Sequence, residues 1–479
     1  MPAADDESRA VPEWYRTAKL GIFVHWGLYS VPGFADDPAG TYAGYLGDLM
    51  AMRDTSGRNP YAEWYFNSLR IPGSPTARHH AERYGAGSSY FDFQREFERN
   101  ADSVDFTDWA DAFAGFGAEY VVLVTRHLDG YPLWPTDVPN PRMPATYRSR
   151  RDLVGDLAAA VRARGLRMGL YYAGGTDWTF TDRPVRVMTD LMDQQSLGPE
   201  YALYAAAQWR ELIERYSPSI LWNDMGWPSE NDTRQLFSDY YRAVPDGVVN
   251  DRWTQLKLPK SRLLRRLYLG FLGASLRFMA KTGRAIPIQA PANHFDIRTY
   301  EYEVPTTATG TWEVTRGLGN SFGYSAGEDA TNTLTGDELV HLLVDVVARG
   351  GHLLINIGPD GHGHIPEVQL RPLQVMGGWL ARHGDAVFGT EPWTTVEAET
   401  TAGDPVRFTR KGSKVHAIVL APDLQGSIRI PGVAIPSGAS AYHLGEIVPW
   451  RSDASGIEID LPGSPPAPAQ VITFDNPQA

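Results

Sequence analysis

The sequence predicts an α/β protein: a (β/α)8 TIM-like barrel followed by a C-terminal antiparallel β-sandwich. Apolar strand-like runs alternate with amphipathic helical stretches as far as about residue 390. The runs total about eight, the number a closed parallel barrel needs, with a doubly wound sheet as the competing arrangement. After residue 391 the helical pattern stops, and short alternating runs separated by turns take over.

Six runs read as buried strands: 21–26 (GIFVHW), 120–125 (YVVLVT), 166–172 (LRMGLYY), 219–223 (SILWN), 247–250 (GVVN) and 352–357 (HLLINI). Weaker candidates at 296–302 and 321–324 complete the barrel. Between them, Leu153, Val154, Leu157 and Val161 share one helical face, as do Leu339, Leu342, Leu343 and Val346. The second helix opens on Thr335 with Glu338 three residues on, a capping box, and closes at Gly350-Gly351. In the tail, 415–420, 427–430, 457–461 and 471–474 read as strands. Ile457, Ile459 and Leu461 point one way there, and Glu458 and Asp460 the other. The expected organisation is a catalytic barrel over 1–390, carrying an inserted basic segment at about 254–290, and a β-sandwich over 391–479.

The 479 residues contain no cysteine, which removes disulfides, thiol catalysis and thiolate metal sites. A formal charge of −13 argues against a nucleic-acid partner. No run is long and apolar enough for a membrane span, and the first residues lack the basic and apolar regions of a secretory signal. The expected location is cytoplasmic. One segment departs from the average: 257–284 carries eight basic residues and no acidic one, leaving −21 on the rest. The expected form is an inserted helix or helical hairpin packed on the barrel. A lid, a contact in a homo-oligomer and a patch for anionic surfaces are the other readings.

Barrel enzymes carry their chemistry at the C-terminal ends of the strands. Those ends here present His25, His127, Asp129, Tyr171, Trp222, Asp224 and Arg252. Carboxylates, imidazoles and Trp suit a sugar, whose apolar face stacks on an indole while polar groups hold its hydroxyls. A retaining glycosidase needs one ionised carboxylate as nucleophile and a second, protonated one as acid/base. Asp224 is a plausible nucleophile; periodicity alone does not pick its partner. The adjacent His79 and His80 diverge, so an exposed polar helix is expected there. His362 and His364 fall in a Gly-rich turn, and no metal is assigned to either pair. Gly174-Gly175 lacks the spacing of a phosphate loop.

Longer segments carry a resemblance: 19–32 (KLGIFVHWGLYSVP), 63–65 (EWY), 125–130 (TRHLDG), 169–178 (GLYYAGGTDW), 221–227 (LWNDMGW), 249–253 (VNDRW), 312–317 (WEVTRG) and 351–359 (GHLLINIGP). Together they resemble the α-L-fucosidases of glycoside hydrolase family 29, in family order over about residues 12–390, with a β-sandwich tail as a family feature. The resemblance implies a retaining exo-glycosidase acting on a fucosylated glycan or glycoside, with neither metal nor organic cofactor. It puts Asp224 on the nucleophile and Glu301 on the acid/base, with Glu303 and Glu313 as fallbacks. It puts His25, Glu63, Trp64, His127, Tyr171, Trp222 and Arg252 on sugar-binding positions. Arg252 is expected to keep Asp224 ionised, and an apolar setting to keep Glu301 protonated.

Two departures bear on substrate. The family's usual His-His-Asp-Gly is His127-Leu128-Asp129-Gly130 here, and leucine offers no hydrogen bond to a hydroxyl. The basic segment and the stretch 35–59 are long beside the family pattern, which places an aglycone pocket or lid at the entrance. The alternatives are a retaining glycosidase for another 6-deoxy or related sugar, as on a glycosylated small metabolite, and a catalytically silent sugar-binding protein.

Overall fold

The computed structural model describes residues 9–195, 197–282, 292, 294–436 and 438–475. Eight parallel strands build the first sheet: β1 (Leu20–Val24), β2 (Tyr120–Arg126), β3 (Arg167–Ala173), β4 (Ile220–Asp224), β5 (Val248–Val249), β6 (Arg298–Glu301), β7 (Trp312–Gly317) and β8 (His352–Ile357). Their order is β5-β4-β3-β2-β1-β8-β7-β6. A parallel bridge between Asn250 and Ile297 joins the two edge strands, and Val249 accepts hydrogen bonds from the Asp296 and Ile297 amides. The sheet therefore closes on itself. β1 to β4 and β8 are buried along almost their whole length, as near-continuous apolar runs under crossover helices should be.

Seven of the eight expected strands form. The exception is 321–324, which is irregular; the eighth strand is Trp312–Gly317 instead. Ser321 and Gly323 turn their polar groups onto Glu63, which a ladder position would forbid. The helix Leu153–Ala163 starts under Asp152, whose carboxylate accepts from the Gly155 amide. The helix Gly336–Ala348 has the capping box between Thr335 and Glu338.

From Glu391 the chain is antiparallel: β9 (Glu391–Glu399), β10 (Pro405–Lys411), β11 (Lys414–Val419), β12 (Gly426–Pro431), β13 (Ser440–His443), β14 (Glu446–Val448), β15 (Trp450–Asp453), β16 (Gly456–Leu461) and β17 (Gln470–Asp475). One six-stranded sheet and one three-stranded sheet enclose a second apolar core around Phe408, Ile457 and Phe474.

The basic segment forms one helix, Arg262–Thr282; its continuation over 283–290, Arg284 included, lies outside the described residues. It packs on two other helices, Tyr42–Met50 and Met188–Gln194, through Gly273 and the buried Leu276. Its opposite face leaves Leu263, Leu267 and Phe271 exposed. The expectation of an exposed pair at His79 and His80 fails for His80. Its ring is buried, bonded to the Tyr65 hydroxyl (2.9 Å) and the Ser88 hydroxyl (3.0 Å), while His79 stacks on Phe34. No helix among the described residues is long and apolar enough to cross a membrane.

Candidate active site

All nine side chains named above as catalytic or sugar-binding line one cavity of about 280 Å³ at the C-terminal mouth of the barrel. The strands explain why. His25 follows the last residue of β1 and His127 the last of β2; Tyr171 lies on β3; Trp222 and Asp224 end β4. Arg252 follows β5, and Glu301 ends β6. Glu63 and Trp64 come from a helical turn (Ala62–Trp64) in the long β1–β2 connection.

Arg252 is the centre of the charge arrangement. Its Nη1 donates to Asp224 Oδ1 at 3.1 Å and its Nη2 to Glu301 Oε2 at 3.0 Å. Its Nε donates to Thr299 Oγ1 at 2.9 Å, and Asp251 accepts both the amide and the hydroxyl of Thr299. The fork is thus locked in orientation before any ligand arrives, which a flexible ammonium would not achieve. The guanidinium also sits over the Trp222 ring, 5.0 Å from its centroid. The second oxygen of Asp224 accepts from the Tyr171 hydroxyl at 3.0 Å. Burial raises the Glu301 carboxyl above its ordinary range, with Arg252 opposing the rise and Asp224 adding to it.

Of the two fallbacks, Glu303 is exposed and lies off the cavity. Glu313 is fully buried on β7, where it accepts from Trp222 Nε1 (3.0 Å), the Tyr15 hydroxyl (3.0 Å) and the Tyr120 hydroxyl (2.6 Å). That carboxylate anchors the indole from beneath and has no free oxygen for a substrate.

The histidines are neutral. Burial pushes His25 and His127 down to about 3; the His127 ring beside His25 further disfavours a proton there, and the Arg126 guanidinium does the same for His127. The Asn356 amide donates to the Phe322 carbonyl at 2.7 Å, so its oxygen faces His25 Nδ1 at 2.6 Å. That network assigns the His25 proton to Nδ1 and leaves Nε2 to accept. Nδ1 of His127 is buried with no hydrogen-bond partner among the described residues. Burial also raises Glu63 to about 7, against the pull of the Gly323 amide and the Ser321 hydroxyl. Tyr171 and Trp222 stack with centroids 5.5 Å apart.

Several contributors carried no sequence signal. Phe23, Tyr61 and Phe322 complete the inner wall, and two helices supply an apolar outer wall. Gly174 and Gly175, unsuited to phosphate, serve a different end. Both amides donate to the Asp224 carbonyl, and a Cβ on Gly175 would fall 1.7 Å from the Met225 carbonyl oxygen. Each candidate catalytic carboxylate precedes a residue at positive φ, Met225 and Tyr302, both at 60°. Leu128 is fully buried in the core and is absent from the cavity wall; its carbonyl accepts from the Trp178 amide at 2.7 Å.

Among the described residues no group of three or more His, Asp or Glu could hold a metal ion. The arrangement suits an uncharged polyol: two bridged carboxylates, neutral imidazoles and stacked rings.

Comparison with known proteins agrees. The sequence profile of the family described as Alpha-L-fucosidase matches residues 2–267 and 284–385, skipping most of the basic helix. The chain is 30% identical over 400 residues to an α-L-fucosidase of Dictyostelium discoideum, spanning 81% of this chain and 73% of that one. It is 28% identical over 476 residues to the tissue α-L-fucosidase of Homo sapiens (96% and 87%). The crystal structure of Thermotoga maritima α-fucosidase with a mechanism-based inhibitor superposes with a TM-score of 0.80 at 38% identity, over 98% of this chain and 97% of that one. The chain belongs to the α-L-fucosidase family and is a glycoside hydrolase.

Proposed function

We propose that this enzyme removes terminal α-L-fucosyl residues with retention of configuration, the barrel over 1–390 holding the site and 391–479 forming an accessory β-sandwich. The observation that carries the reading is the single guanidinium of Arg252 joining Asp224 and Glu301 across the cavity. Retaining glycosidases hold their two carboxyl groups about 5–5.5 Å apart, a spacing one guanidinium fork can span.

In the first step Asp224 attacks the anomeric carbon. The bond to the leaving oxygen breaks as Glu301 delivers its proton, giving a glycosyl ester on Asp224 and a free alcohol. In the second step Glu301, now a carboxylate, takes a proton from water. The water oxygen bonds to the anomeric carbon and Asp224 departs, so one water is consumed and both residues are restored. The raised affinity of Glu301 for its proton favours the acid form needed first. His25, Glu63, Trp64, His127, Tyr171 and Trp222 hold the sugar. His25 Nε2 accepts a hydroxyl, His127 Nδ1 finds in a hydroxyl the partner it lacks, and the rings meet the apolar face.

Of the two grounds for another 6-deoxy or related sugar, Leu128 and the inserted segment, Leu128 lies in the core and off the cavity wall. Assay with 4-nitrophenyl α-L-fucoside tests the proposal. Turnover well above an Asp224→Ala control is expected. Absence of turnover, with another aryl glycoside hydrolysed or none, overturns it.

A further inference from the structure

The inner end of the cavity holds every charged group; the outer end holds none. Leu46 and Leu49 on the helix Tyr42–Met50 face Met188, Leu191 and Met192 on the helix Met188–Gln194, and Leu256 closes the rim. All but Leu49 are half-buried, apolar surface held open toward the cavity. The amide nitrogens nearest them are spent on the protein itself. Gln195 Nε2 donates to the Met225 carbonyl (2.8 Å), and Gln255 Nε2 donates to the Pro228 (2.8 Å) and Asn231 (2.9 Å) carbonyls.

We propose that this outer wall is an aglycone subsite for a hydrocarbon-rich alcohol rather than for a second sugar; the proposal rests on the fucosidase reading above. A sugar at this wall would meet few polar groups beyond the Gln195 and Gln255 amide oxygens and would leave most of its hydroxyls without partners, whereas an alkyl or isoprenoid group gains by leaving water. Flexible thioethers let one wall accept hydrocarbons of several shapes.

The basic helix backs the wall. It packs across both wall helices from outside, with Gly273 at the contact, where a Cβ would come 3.1 Å from Met52 Cε and 3.5 Å from Thr189 Cγ2. Arg265 pairs with Asp193, the residue after Met192. The family profile passes over 268–283, so the part of this helix that holds Gly273 and Leu276 is not supplied by the shared family pattern.

The test compares methyl and octyl α-L-fucosides, alcohols of nearly equal leaving ability, with an α-L-fucosyl-galactose disaccharide. At about fourfold per buried methylene, the octyl substrate is expected to exceed the methyl one in kcat/KM by at least about 100-fold. In Leu46→Asp and Met192→Asp the octyl-to-methyl ratio is expected to fall at least about tenfold, a ratio in which any general loss of folded enzyme cancels. A wild-type ratio near one, a disaccharide hydrolysed faster than the octyl substrate, or an unchanged ratio in both variants overturns the subsite. Failure to hydrolyse even 4-nitrophenyl α-L-fucoside instead overturns the fucosidase reading, and the subsite with it.

Discussion

Arg252 reaches Asp224 through Nη1 at 3.1 Å, and its remaining fork nitrogen is taken up by Glu301 at 3.0 Å. The two candidate catalytic carboxylates therefore share one cation, and each is sensitive to what happens to the other. Removing that cation leaves two buried carboxyl groups with no counter-ion. Arg252→Met is expected to lower kcat/KM by at least about 100-fold, with Arg252→Lys restoring only part, because an ammonium is a point charge. Arg252 opposes the burial-driven rise of Glu301. Its loss therefore keeps Glu301 protonated to higher pH and moves the alkaline limb of the activity profile upward. A pH–rate profile checks this; a limb that stays in place contradicts it.

Acid assistance matters in proportion to how poor the leaving group is. Glu301→Gln is expected to cost about 10²–10⁴-fold on an alkyl fucoside and far less on a 2,4-dinitrophenyl fucoside. Steady-state kinetics on the two substrates read the contrast. Equal losses on both would remove Glu301 from the acid role and reopen Glu303.

His25 and His127 are both pushed down to about 3, chiefly by burial. Their imidazole NMR signals are expected to stay flat from pH 7 to pH 4.5, where an exposed histidine titrates near 6.5. The unfolded chain binds protons at these positions below about 6.5. Their contribution to stability is thus complete above that pH and is lost as pH falls toward the folded value. A titration midpoint near 6.5 for either ring would contradict the neutral, hydroxyl-binding role.

Arg126 and Asp177 form an ion pair whose side chains are both 0% exposed. The guanidinium also donates to the Ala173 carbonyl at 2.6 Å and lies 4.1 Å from the Tyr172 ring centroid, tying β2 to β3 just below His127. Asp177→Ala leaves a buried cation without its counter-ion and is expected to destabilise by about 3–5 kcal/mol. Thermal and urea melts measure it; a loss under about 1 kcal/mol, the level of an exposed pair, contradicts the burial argument.

The barrel was legible because its strands are buried on both faces, so runs such as YVVLVT and HLLINI stand out against polar helices. Trp312–Gly317 escaped because Glu313, Thr315 and Arg316 break its apolar run, although Glu313 is among the most buried charges in the chain. The inner site was legible for a different reason: His25, His127, Asp224 and Arg252 are polar residues directly at strand ends. The outer wall was not. Leu46, Met188 and Met192 sit on amphipathic helices whose apolar faces read as ordinary core, and no periodicity distinguishes a face turned to a cavity from one turned to a barrel. His80 and Leu128 show the same limit from the other side, since their surroundings come from distant chain segments. The segment 254–290 was marked by its charge, yet the packing partners of its helix Arg262–Thr282, at 42–50 and 188–194, could not be read from it.

The central claim is that Asp224 bonds covalently to the sugar. Incubation with a 2-deoxy-2-fluoro-L-fucosyl fluoride, which slows release of the intermediate, followed by intact-mass measurement and peptide mapping, tests it most directly. The expected result is one sugar per chain, carried by the peptide containing Asp224 and absent in Asp224→Ala. A sugar found on Glu301, Glu63 or any other residue, or turnover with no adduct on Asp224, would contradict the account.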